Sequence, residues 1–144
     1  MNIKFSIGEW AAWAPGLVDQ AAWRERFAGS DQTWNCSTEL AAELAPVPAL
    51  AAMTRRRLNR IGRSALQVAY AVPANHPPCP VIFASRFGDL ERSVLLLNAL
   101  ANNESLSPTA FSVSVHNAIG AIFSIERGDT ENYIALARGF FVAY

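Results

Sequence analysis

Two cysteines and two histidines, Cys36, Cys79, His76 and His116, are the natural candidates for nucleophile, base or metal ligand in this sequence. A cysteine attacks as the thiolate, and a helix N-terminus or a histidine usually generates that form. Cys79 lies between Pro78 and Pro80, ahead of an apolar run and with no helix start after it; Cys36 lies in a weakly patterned stretch. Both read as unreactive thiols of a reducing, cytoplasmic compartment. Thioester transfer on Cys79 or Cys36 is the enzymatic alternative. His76 falls in Asn75-His76-Pro77-Pro78, an exposed turn by composition. His116 sits in a serine-rich apolar segment and could be a ligand or base, but a buried histidine bonded to backbone near a helix start is the more economical reading. Residues so scattered make no zinc pattern, so neither metal nor cofactor is expected. The turn Ser85-Arg86-Phe87-Gly88-Asp89 follows an apolar run and opens a helix, a place where anions bind. It lacks the glycine spacing of nucleotide sites.

The other group with chemical potential is cationic. Between Glu43 and Asp89 there are six arginines and no acid, five of them being Arg55, Arg56, Arg57, Arg60 and Arg63. Such a run is either a solvated helix face or a docking patch for an acidic partner or phosphate. Across the whole chain 12 basic and 12 acidic residues cancel, so there is no bulk attraction for nucleic acid or anionic membrane. A nucleic-acid role would rest on the arginines alone, and none is expected.

The elements that must position these groups fit one domain spanning residues 1–144. Apolar residues make up 51% and charged residues 17%, which excludes disorder. Ile3, Phe5 and Ile7 alternate with polar neighbours, the pattern of a short strand over residues 2–7. A helix is expected over 18–28, stopped by Gly29, and a helical turn over 39–44. The clearest stripe, Leu58, Ile61, Ala65, Val68, Ala69 and Val72, predicts one long helix over 51–72. A buried central strand follows over 81–85. Asp89 is placed to cap a helix over 90–101, whose apolar stripe is Leu90, Val94, Leu97 and Leu100. An extended or loop segment is expected over 107–113, a helix over 115–127 and a buried strand over 133–137. Strands separated by helices imply a parallel or mixed sheet with helices packed on it. The uncharged run 105–125 has the length of a membrane span, but Pro108, His116, Asn117 and five serines argue against one. The apolar end Phe140-Phe141-Val142-Ala143-Tyr144 reads as an element interrupted, which leaves a truncated remnant without activity as a further alternative.

Residues 107–128, Ser-Pro-Thr-Ala-Phe-Ser-Val-Ser-Val-His-Asn-Ala-Ile-Gly-Ala-Ile-Phe-Ser-Ile-Glu-Arg-Gly, resemble a run of the β-ketoacyl synthase family: a proline, a phenylalanine, a serine-rich turn, an asparagine, then an apolar helix. Phe5-Ser6-Ile7 with Trp10 and Trp13, residues 53–63 leading into Ala65-Leu66, and residues 83–90 agree with it in order. The resemblance is nearest to short chain-length-factor-like members of aryl polyene and xanthomonadin-type clusters. It implies an α/β fold, a partial thiolase-like half in which a mixed sheet carries packed helices. Members of that short family run further than residue 144. The family's nucleophile is a cysteine at a strand-to-helix elbow, in a pattern like Ala-Cys-Ala-Ser-Gly. The matching stretch is Ala135-Leu136-Ala137-Arg138-Gly139, so Leu136 takes the nucleophile's position and no catalytic role transfers. The resemblance implies a non-catalytic subunit, a heterodimer with an active ketosynthase, and an acidic acyl carrier protein docking on Arg55–Arg63. It implies a partner interface including Phe111, Val113, Val115, His116, Asn117, Ile119 and Phe123.

Overall fold

The computed structural model describes residues 4–29, 43–72 and 79–137. Helix α1 (Gln20–Ala28) begins where Asp19 accepts a hydrogen bond from the Ala22 amide at 2.8 Å and ends at Gly29. The long apolar stripe after it does not form one helix. It forms α2 (Ala52–Arg57) and α3 (Arg60–Ala71), separated at Leu58-Asn59. The cause is local. Asn59 is extended and its side chain accepts from the Gly62 amide at 3.1 Å, starting a new helix where periodicity alone would continue the old one.

Strand β1 (Val81–Ser85), helix α4 (Leu90–Ala101), helix α5 (Pro108–Ser112), helix α6 (Ala118–Arg127) and strand β2 (Tyr133–Ala137) complete the described chain. β1, α4 and β2 have the bounds the sequence predicts. Residues 107–113 are neither extended nor wholly loop. Ser107 caps the Ala110 amide at 3.2 Å and Pro108 takes the first helical position, so a single turn of helix forms. Residues 4–10 carry no strand, although Phe5 and Ile7 alternate as one, and both side chains are exposed. The expected turn over 39–44 lies largely outside the described residues.

β1 and β2 pair in parallel, from Val81 opposite Tyr133 to Ser85 opposite Ala137, and helices α4 to α6 make the crossover between them. One face of this sheet meets the core. Val81 and Phe83 pack against a buried cluster of Ala45, Val47, Leu50, Leu58, Leu66, Ile119 and Phe123. Gly120 lets α6 approach the sheet, because a β-carbon there would come within 3.3 Å of the Tyr133 ring. Tyr70 of α3 meets Phe123 of α6 edge to face at 5.3 Å. Burial and the nearby Glu126 carboxylate raise the Tyr70 phenol above its usual value, while Arg127 acts against them.

The other face is open. Ile82 is 65% exposed, Ile134 54% and Leu136 47%. The strands are therefore not buried on both sides as expected, because no described element covers this face. The apolar stripe of α4, Leu90, Val94, Leu97 and Leu100, is exposed as well. Among the described residues, no helix is long and apolar enough to cross a membrane.

Candidate functional site

Parallel pairing brings the C-terminal ends of β1 and β2 to one edge, the position where open α/β sheets usually hold ligands. Gly88 and His116 meet there. The His116 Nε2 lies 3.0 Å from the Ser85 carbonyl oxygen, and a β-carbon on Gly88 would come within 3.1 Å of the His116 α-carbon. His116 is half-buried and bonded to backbone one residue before the Asn117 cap of α6. This is the structural role the sequence favours. Asn117 donates to the Tyr133 hydroxyl at 3.1 Å, tying the start of α6 to β2.

The segment assigned to a partner interface divides in two. Val113, Ile119 and Phe123 are buried within this chain, Ile119 and Phe123 in its core cluster. Val113 is buried between α5 and α6, while Ile119 and Phe123 lie on the face of α6 that packs into this chain's own core beside α3. Phe111, Val115 and Asn117 are exposed. Val115 and Asn117 line a cleft of about 340 Å³ that also touches Thr54, Arg57, Ile122 and Glu126. The Thr54 hydroxyl donates to the Glu126 carboxylate at 2.6 Å, joining α2 to α6 across one side of it.

The five arginines do not form one helix face, because the break at Leu58-Asn59 divides them. Arg55 is half-buried and donates to the Pro46 and Val47 carbonyls at 3.4 and 3.3 Å, and Arg63 donates back to the Leu58 carbonyl at 3.4 Å. Those two hold the local fold. Arg56, Arg57 and Arg60 are exposed.

The break also builds a joint that sequence reasoning saw only in part. Asp89 is 5% exposed. It caps α4 by accepting from the Arg92 amide at 3.0 Å and pairs with the Arg92 guanidinium, again at 3.0 Å. The Asn59 side-chain amide donates to the same carboxylate. Arg92 donates in turn to the Arg57 carbonyl at 2.8 Å. The end of α2 and the starts of α3 and α4 therefore converge on one buried acid. Asp89 as a cap was legible. Asn59 carried a usable signal, three residues before the Gly62 amide it caps; the long reach of Arg92 to Arg57 carried none.

Leu136 lies in β2 opposite Ala84, with its side chain on the open face of the sheet beside Ile82 and Ile134. Cys79 is an exposed free thiol just ahead of β1. Cys36, His76, Arg138 and Gly139 lie outside the described residues. Among the described residues, no group of three or more metal-ligating side chains converges.

With this geometry in place, comparison with known proteins is informative. Residues 28–140 match the family described as β-ketoacyl synthase, N-terminal domain. A solved structure, the ketosynthase ApeO in complex with its chain length factor ApeC from Xenorhabdus doucetiae, holds a chain that is 30% identical to this one. The match covers 96% of this chain and 56% of that one, with a TM-score of 0.84. This chain thus spans little more than half the length of that relative. No curated protein matches.

Proposed function

This chain belongs to the β-ketoacyl synthase N-terminal domain family, and from that premise we propose that it is a non-catalytic, chain-length-factor-like partner of an active ketosynthase. Leu136 carries the reading. It stands where the sequence resemblance puts the nucleophile, and a leucine side chain has no lone pair with which to attack a thioester. The active ketosynthase would supply the nucleophile, and this chain would help shape the space for a growing fatty-acid, polyketide or aryl polyene chain. Support for the pairing comes from the solved relative, a ketosynthase bound to its chain length factor. The exposed Phe111, Val115 and Asn117 are the part of the expected interface left free to meet such a partner. Arg56, Arg57 and Arg60 are the exposed cations available to an acidic acyl carrier protein. The same reading makes the protein cytoplasmic.

Intact mass spectrometry tests this directly. The folded chain is incubated with acyl-loaded carrier protein, alone and with an aryl-polyene-type ketosynthase. The expected result is no acyl adduct on this chain, and a one-to-one complex with the ketosynthase by size exclusion. The exposed Cys79 motivates the second reading, acyl transfer through a thiol. An adduct lost in Cys79→Ser or Cys36→Ser would establish that reading and overturn the first.

A further inference from the structure

Helix α2 has six residues and no buried side chain. A helix that short is not stable by itself in water, and this one has no packed face to hold it. The buried Leu50 and Leu58 anchor the chain on either side of it, and the contacts made by the helix itself are polar. Thr54 donates to Glu126, Arg55 donates to the Pro46 and Val47 carbonyls, and the Arg57 carbonyl accepts from Arg92. The last contact is the shortest of those with a charged donor, and it lies at the helix C-terminus, where a cation also meets the negative end of the helix dipole. Arg92 is itself fixed. Its Nε pairs with the buried Asp89 at 3.0 Å while its Nη2 reaches Arg57. One planar guanidinium therefore spans a buried acid and the last carbonyl of α2, a geometry that a lysine ammonium cannot reproduce.

We infer that Arg92, clamped by Asp89, is the positioning residue for the exposed arginines of α2, holding Arg56 and Arg57 where an acidic partner surface would meet them. The inference rests on the carrier-docking part of the proposed function for its consequence, but not for its geometry. Arg92 need not touch the partner. It acts by keeping α2 formed and oriented, so that two cations are presented together and the partner does not have to order them on binding.

The experiment has two arms. Amide exchange followed by NMR compares the wild-type chain with Arg92→Lys and Arg92→Met. Arg92→Lys retains a charge for Asp89 and should melt like wild type, yet lose protection at the Arg55 and Leu58 amides while α3 and α6 keep theirs. Arg92→Met serves as the stronger version. Titration with an acidic acyl carrier protein forms the second arm. Arg92→Lys should weaken binding by about fivefold, the effect of roughly one exposed ion pair. Combined with Arg56→Gln and Arg57→Gln it should add almost nothing further, because it acts through those residues. Unchanged exchange in both Arg92 variants would overturn the clamp, as would losses that simply multiply. If the wild-type chain binds no carrier protein, the docking reading fails, and the exchange arm still decides whether Arg92 holds α2.

Discussion

Gly88 is fixed by two demands at once. Its φ is +57°, a left-handed conformation that glycine adopts without steric cost, and a β-carbon there would crowd the His116 α-carbon at 3.1 Å. Gly88→Ala should therefore destabilise the fold by about 1–3 kcal/mol, the strain of a non-glycine residue in that region plus the contact with His116. Chemical denaturation measures it, and a cost near zero would mean that the β1–α4 turn relaxes freely. Asn59 is the second residue with two duties, since one side chain caps α3 and donates to buried Asp89. Asn59→Ala should cost about 2–3 kcal/mol, a lost cap together with a buried carboxylate short of one donor. At this scale the sequence was informative where a role is local. Asp89 as a cap follows from immediate neighbours, whereas the carbonyl that holds His116 belongs to Ser85, 31 positions away. The role of Arg92 depends on a carbonyl 35 positions away, which no local pattern encodes.

Among the elements, β1, α4 and β2 were legible because each is bounded by strong signals: prolines before β1, Asp89 before α4, and Gly128-Asp129 before β2. The helix α6 was foreseen within three residues, with Gly128 closing it in the left-handed conformation. A continuous apolar stripe conceals the α2–α3 break, and the apolar stripe of α4 faces outward. Periodicity identifies which side of a helix is apolar, but says nothing of whether this chain supplies the surface that covers it. A paired substitution separates the two cases. Leu66 is almost fully buried where α3 meets the core, and Leu97 is exposed on α4. Leu66→Ala should cost about 2–5 kcal/mol. Leu97→Ala should stay within about 0.5 kcal/mol of wild type. A large cost at Leu97 in the isolated chain would show that α4 packs inward after all.

For the molecule as a whole, the unusual quantity is apolar surface left facing outward. Ile82, Ile134 and Leu136 on the sheet and Leu90, Leu95, Leu97 and Leu100 of α4 are all exposed. Contiguous apolar patches beyond a few hundred Å² on a soluble chain mark an interaction surface or an aggregation liability. Among the described residues the sheet has two strands, which are marginal without more strands or a covering layer. These considerations predict concentration-dependent self-association of the isolated chain, and they locate it. Ile134→Thr keeps a β-branched residue in β2 but adds a hydroxyl to the open face. If that face is bare in the isolated chain, the substitution should leave the melting temperature nearly unchanged, because nothing packed is lost. Sedimentation velocity should then shift toward monomer. Complex formation with a ketosynthase offers a further discrimination. If the partner covers the sheet, Ile134→Thr should weaken the complex as Phe111→Ala does; if it meets only the region around Phe111, Val115 and Asn117, Phe111→Ala alone should act. A large loss of stability from Ile134→Thr in the monomer would instead mean that the chain already buries this face, and the argument from exposed apolar surface would fall with it.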